Sequence, residues 1–231
     1  MKLITRQTWL VVLLVFIFEA LSLSAYYYPP LKLIGGLILV IFTLVATWRN
    51  LEFGLLILFA ELIIGSKGHL LELSFVSGRM VIFGIVMLVY LVQLFKKEER
   101  AKLIAAWLEF KSKKALIALA FFVIASLIIA LANTTKLADI FADFNNWLFF
   151  LIIFPITAVY FQAKPEVYKR LATVSVAAFL WLSLETFLVL YLYSHNISVM
   201  TDIYFWLRKT GVAEVTATLN GFPRIFLQSQ I

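Results

Sequence analysis

The sequence predicts an all-α fold: a polytopic transmembrane helical bundle of about seven spans plus the start of an eighth, with the N-terminus cytoplasmic. Three observations predict it. The 231 residues are 63% hydrophobic and only 14% charged, more apolar surface than a water-soluble domain of this size can bury. The apolar residues fall in separate runs longer than strands and helical in period, which excludes a β-barrel. The basic residues are unevenly shared between alternate connecting segments.

Seven runs read as spans: 9–25, 31–47, 53–64, 80–95, 115–132, 147–161 and 171–193. The first follows Lys2 and Arg6 and contains Glu19, so it reads as a retained signal-anchor helix rather than a cleaved leader. Tyr28, Pro29 and Pro30 form a tight turn into the second. The third is short for a crossing. Pro155 should kink the sixth, because proline removes a backbone donor inside the run. Gly221-Phe222-Pro223-Arg224 leads into Ile225-Phe226-Leu227, which reads as the entry to an eighth helix. The chain stops soon after, so it reads as the N-terminal part of a longer protein, with 1–231 as a single transmembrane domain.

The dense charge block at 96–114, KKEERAKLIAAWLEFKSKK, sets the orientation. It holds seven basic residues, and short Lys- and Arg-rich loops stay cytoplasmic. With the N-terminus on the same side, thirteen of the twenty basic residues are inside and seven outside. Within the block, Leu103, Trp107 and Phe110 share a helical face beside Ile104 and Leu108, as in a helix lying in the membrane interface. Five of the six tryptophans fall near predicted span ends, where amphipathic rings settle; Trp181 does not. The net charge of +7 is accounted for by these loops rather than by nucleic-acid binding. No cysteine is present, which excludes disulfides, thiolate metal sites and cysteine nucleophiles. Nucleotide-binding glycine loops, a Gly-x-Ser-x-Gly elbow and zinc motifs are also absent.

The outer segments are the longer and more varied ones: 65–78, 133–146, and the outer loop 194–223. The last carries an amphipathic piece, 202–209, stopped by Gly211. Three acids lie inside apolar runs: Glu19, Glu61 and Glu185. All three sit in the outer half of odd-numbered spans, at one depth. An ionisable group there costs a few kcal/mol and faces a protein interior or a polar cavity, or else snorkels to a neighbouring helix. Arg79 opens the fourth span, and Arg224 the expected eighth, at the same surface. The pattern predicts an outward-open cavity where acids hold arginines toward an anion. Arginine's planar fork suits a phosphate or diphosphate, and Lys67 in Gly65-Ser66-Lys67-Gly68-His69 adds a point charge. His69 and His195 are the only histidines. Either can serve as a base or as a plain loop residue. Asp139 and Asp143 share a helical face and read either as two ligands of a metal site or as a hydrophilic cap before the sixth helix, and two carboxylates alone do not make a metal site; Asn133-Thr134-Thr135 and Asn196-Ile197-Ser198 match the glycosylation triplet.

The stretch 61–83, ELIIGSKGHLLELSFVSGRMVIF, resembles the N-terminal half of the bacterial O-antigen ligase and polymerase family, as do 142–155, ADFNNWLFFLIIFP, and 221–231, GFPRIFLQSQI. The resemblance implies a multi-pass inner-membrane glycosyltransferase of cell-envelope polysaccharide (lipopolysaccharide) biosynthesis. Such an enzyme takes a glycan from a polyprenyl diphosphate at the periplasmic face and passes it to a lipid or glycan acceptor, with no metal and no cofactor. It also implies that Arg79 and Arg224 bind the diphosphate. The family's catalytic histidine lies in a large outer loop of the C-terminal half, which has no counterpart in these 231 residues. Two other readings of the same residues stay open: a secondary transporter relaying protons through Glu19, Glu61 and Glu185, and a non-catalytic membrane subunit.

Overall fold

The computed structural model describes residues 5–65, 77–133, 140, 147, 151–153, 156–157, 166–195, 197–217 and 223–227. The chain forms two compact units, Met1–Tyr90 with Lys169–Ile231, and Leu91–Tyr168.

The first unit opens with α1, Arg6–Tyr27. Thr5 caps it reciprocally: the Thr8 N–H donates to Thr5 Oγ1 at 3.4 Å, and the Thr5 N–H donates to Thr8 Oγ1 at 3.1 Å. Pro29 and Pro30 then start α2, Pro30–Arg49, where a missing N–H costs nothing in the first turn. Asn50, in extended conformation, caps α3, Leu51–Ile64, by accepting from the Glu52 N–H at 3.1 Å. The α2–α3 hairpin is tight: a Cβ on Gly54 would overlap the buried Thr47 side chain. The 14 residues of α3 rise about 21 Å, short of the roughly 30 Å hydrocarbon core. It is also the best-packed helix, with Leu51, Leu55 and Leu58 fully buried.

Next comes α4, Gly78–Leu94, which buries Gly78, Ile82, Val86 and Val89 along one stripe. After the second unit, α7 (Glu166–Ser194) runs 29 residues. It is followed by the amphipathic α8, Met200–Thr210, which ends at Gly211 in the left-handed region (φ 71°). The sequence places both that helix and its stop correctly.

The expected eighth helix is corrected. Pro223–Leu227 is a strand, β2, paired antiparallel with β1, Ala213–Ala217. Val215 stands opposite Ile225 and Thr216 opposite Arg224. β-Branched Val215, Thr216 and Ile225 suit a half-buried pleated surface. A short apolar run such as 225–227 does not by its period distinguish strand from helix. The hairpin and α8 close over the ends of α1 and α7. Val189, Met200, Trp206, Leu207, Val212, Ala213 and Val215 form a core there, with Leu23, Tyr26 and Ile225 packed against it. The Trp206 Nε1–H donates to Ser22 Oγ at 3.2 Å and ties α8 to α1.

The second unit holds the end of α4, α5 (Lys97–Glu109) and α6 (Lys113–Ala132). Thus 96–114 does contain a helix, and Trp107 stacks on Phe110 with ring centroids 5.9 Å apart. The sixth predicted span, 147–161, is described only at 147, 151–153 and 156–157, all helical; Pro155, Asp139 and Asp143 lie outside the described residues.

Among the described residues, four helices are long and apolar enough to cross a membrane: α1, α2, α6 and α7. They leave large apolar side chains uncovered, among them Phe121 at 67% and Phe187 at 68% exposure. Such faces are stable against lipid, not water.

Candidate functional site

The site is a groove in the first unit, about 930 Å³, walled by α1, α2 and α3 and reached by α4 and α7. Its walls are aliphatic and aromatic, with Val11, Leu14, Phe18, Leu39, Phe42 and Leu56 among them. Polar groups gather at its ends, where the helices begin and finish.

At one end stands Glu61 on the last turn of α3, facing Arg79 on the first turn of α4. The Arg79 Nε–H donates to Glu61 Oε2 at 2.7 Å, and the two side chains are 12% and 15% exposed. Gly65 and Gly78 line the groove beside the pair, and a Cβ on Gly65 would overlap the Glu61 carboxylate. Glycine at 65 therefore leaves the space that Glu61 occupies. In a low-dielectric setting a carboxylate and a guanidinium in this geometry stabilise one another, and removing either strands a buried charge.

Glu19 also lines the groove, on α1. It accepts from the Trp181 Nε1–H of α7 at 2.7 Å. This explains the tryptophan that lies far from a span end: its half-buried indole is the donor to Glu19. Trp181 and Glu185 are four residues apart on α7, so both face α1. Glu185 is 5% exposed, and neither of its carboxylate oxygens has a hydrogen-bond partner among the described residues. Ile63 and Ile64 of α3 pack with Leu182 and Trp181, which sets the Glu61 turn beside this part of α7. Two contacts, α1 to α7 and α3 to α7, bring these parts of the three helices together.

The opposite end was not singled out by sequence. Glu52, on the first turn of α3, is 4% exposed. It accepts from the Arg170 Nη1–H of α7 at 2.7 Å and from the Asn50 Nδ2–H at 3.4 Å. Arg170 also lies over the Phe53 ring, 5.9 Å from its centroid. Arg49, Arg170 and Gln7 line the groove at this end. Glu52 is a helix-start acid in the sequence, and its partner is 118 residues away, so no local pattern links them.

Of the other expected residues, Lys67 and His69 lie outside the described residues, and Arg224 is placed only by its backbone, in β2. His195 follows α7. Its ring packs against Tyr191 with centroids 4.2 Å apart, and its Nδ1 is 2.9 Å from the Tyr191 carbonyl. The structure therefore brings Glu61 to Arg79 and Glu19 to the Trp181–Glu185 face.

Chemically, the groove offers a hydrocarbon-lined slot with an ion pair at each end. It suits an amphiphile whose tail fills the slot and whose charged head meets a guanidinium. Comparison with protein-family models, with curated proteins and with solved structures gives no match for this chain.

Proposed function

We propose that this chain is a seven-span inner-membrane protein with its N-terminus in the cytoplasm, and that it handles a glycan carried on a polyprenyl diphosphate at the periplasmic face, as a ligase or polymerase of surface polysaccharide does. The observation that carries the reading is the Arg79–Glu61 pair at one end of an apolar groove. In this reading the carrier's tail enters the groove and its diphosphate meets Arg79, whose plane Glu61 orients through Nε. Periplasmic placement of that end follows from the excess of basic residues on the other side. The residues named here account for donor binding; no base is assigned to this chain.

The test is binding of a synthetic polyprenyl diphosphate to the purified protein in lipid nanodiscs, against the corresponding polyprenol. The diphosphate should bind at least tenfold more tightly, and Arg79→Gln should remove that preference, since a hydrogen bond to a charged group contributes about 1.5–3 kcal/mol. Equal binding of alcohol and diphosphate would refute the reading.

A second reading has its own observation. Glu185 is a buried carboxyl with no hydrogen-bond partner among the described residues, beside the Trp181–Glu19 contact. Proton relay through these acids would make the chain a secondary transporter. Proton flux in liposomes that falls on Glu185→Gln would favour this reading.

A further inference from the structure

We infer that the groove's other end is a binding site for an anionic phospholipid of the surrounding bilayer, with the phosphate between Arg49 and Arg170 and one acyl chain in the groove. Three observations carry it, and none depends on the glycan reading; the two lipids enter the same slot from opposite ends, so binding of one excludes the other.

The first is charge. Two arginines line this end, and Glu52 answers only one of them. Among the described residues no carboxylate pairs with Arg49, which closes α2 with an exposed side chain. This end therefore carries an uncompensated positive charge. At the Arg79 end, by contrast, one acid meets one arginine.

The second is preorganisation. Arg170 is fixed from two sides, by Glu52 at 2.7 Å through Nη1 and by the Phe53 ring beneath its Cζ. A guanidinium held in this way presents a planar edge to an incoming phosphate with little side-chain entropy left to lose. Gln7 of α1 lines the same end and supplies a neutral amide donor.

The third is depth. Phe53 and Gly65 both line the groove from α3, and twelve helical residues rise about 18 Å. One leaflet of a hydrocarbon core is roughly 15 Å deep. The slot thus matches a single acyl chain held by its headgroup at one end. Basic pockets between transmembrane helices take anionic headgroups in this manner.

The test is lipid retention by the purified full chain, read by native mass spectrometry after exchange into mixtures of phosphatidylglycerol and phosphatidylcholine. One phosphatidylglycerol should be retained with at least a tenfold preference. Arg170→Gln should abolish the preference, but it also breaks a buried ion pair and can unfold the protein. Arg49→Gln removes an exposed side chain and should reduce the preference severalfold in a chain that remains folded. Ala60→Trp, which fills the groove and leaves both arginines, should lower phosphatidylglycerol retention as well. The double variant Glu61→Leu with Arg79→Met, which removes the other ion pair without stranding a charge, should leave it intact, which separates this site from the proposed diphosphate site. Soluble glycerol phosphate should not displace the lipid. Equal retention of the two lipids, an unchanged preference in folded Arg49→Gln, or displacement by glycerol phosphate would each overturn the inference.

Discussion

Arg79 Nε of α4 lies 2.7 Å from Oε2 of Glu61, 18 positions earlier in the chain on α3. Both side chains are mostly buried, and Glu61 lines the end of an apolar groove. A charge pair in such a place is not neutral toward mutation. Breaking it should be far more damaging than removing it, because the surviving partner keeps the full cost of burial.

Glu61→Ala alone should therefore destabilise the protein by about 3–5 kcal/mol, and Arg79→Met alone by a similar amount. The double variant, Glu61→Leu with Arg79→Met, should recover most of the loss. Thermal unfolding in a fixed detergent, analysed as a double-mutant cycle, checks this. Additive losses would show that the two side chains act independently.

The Glu52–Arg170 pair should behave asymmetrically. Glu52 is 4% exposed, whereas the Arg170 side chain is 45% exposed. Glu52→Gln keeps the acceptor for the Asn50 amide and should cost little. Arg170→Ala leaves a buried carboxylate with only a neutral donor and should cost more, about 2–4 kcal/mol after allowance for solvent near the arginine. A larger loss of thermal stability for Glu52→Gln than for Arg170→Ala would contradict the geometry.

Close approach of α2 and α3 predicts a third result. Any Cβ at position 54 meets Thr47, whose hydroxyl is already donated to the Thr43 carbonyl. Gly54→Ala should thus destabilise by about 1–3 kcal/mol, even though alanine is the better helix former. Thr47→Ala in the same chain should restore part of the loss. A stabilising Gly54→Ala would show that the hairpin is looser than described.

Trp181 offers a spectroscopic check. Its indole N–H donates to Glu19 in a partly buried setting. Glu19→Gln keeps an acceptor there, while Glu19→Leu removes it. Fluorescence from a variant that keeps only Trp181 should shift measurably for Glu19→Leu and little for Glu19→Gln. Identical spectra for the two would mean that Glu19 is not the indole's partner.

Much of this arrangement could be read from the residues. Long apolar runs fix α1, α2, α6 and α7, because a run of about twenty apolar residues satisfies its own backbone in lipid as a helix. Gly211 announces the end of α8, since a left-handed residue after a helix is commonly glycine. Glu19, Glu61 and Glu185 stand out as acids inside apolar runs, and Glu19 and Glu61 line the groove. What stayed hidden depended on contacts between distant segments. Ile225 is a strand residue because Val215 lies opposite it, and a five-residue run does not carry that information. Glu52 resembles an ordinary acid at a helix start until Arg170 is placed beside it. The groove itself is a gap between helices, and only their packing creates it.

The central claim is that a phosphorylated lipid lies in the groove with its head at Arg79. The chain has no cysteine, so single cysteines can be placed without background. Maleimide labelling of Ala60→Cys, a groove residue one position before Glu61, measures occupancy directly. Polyprenyl diphosphate should slow that labelling severalfold, and Arg79→Gln should abolish the protection. Equal labelling with and without the lipid, or protection that survives Arg79→Gln unchanged, would contradict the account.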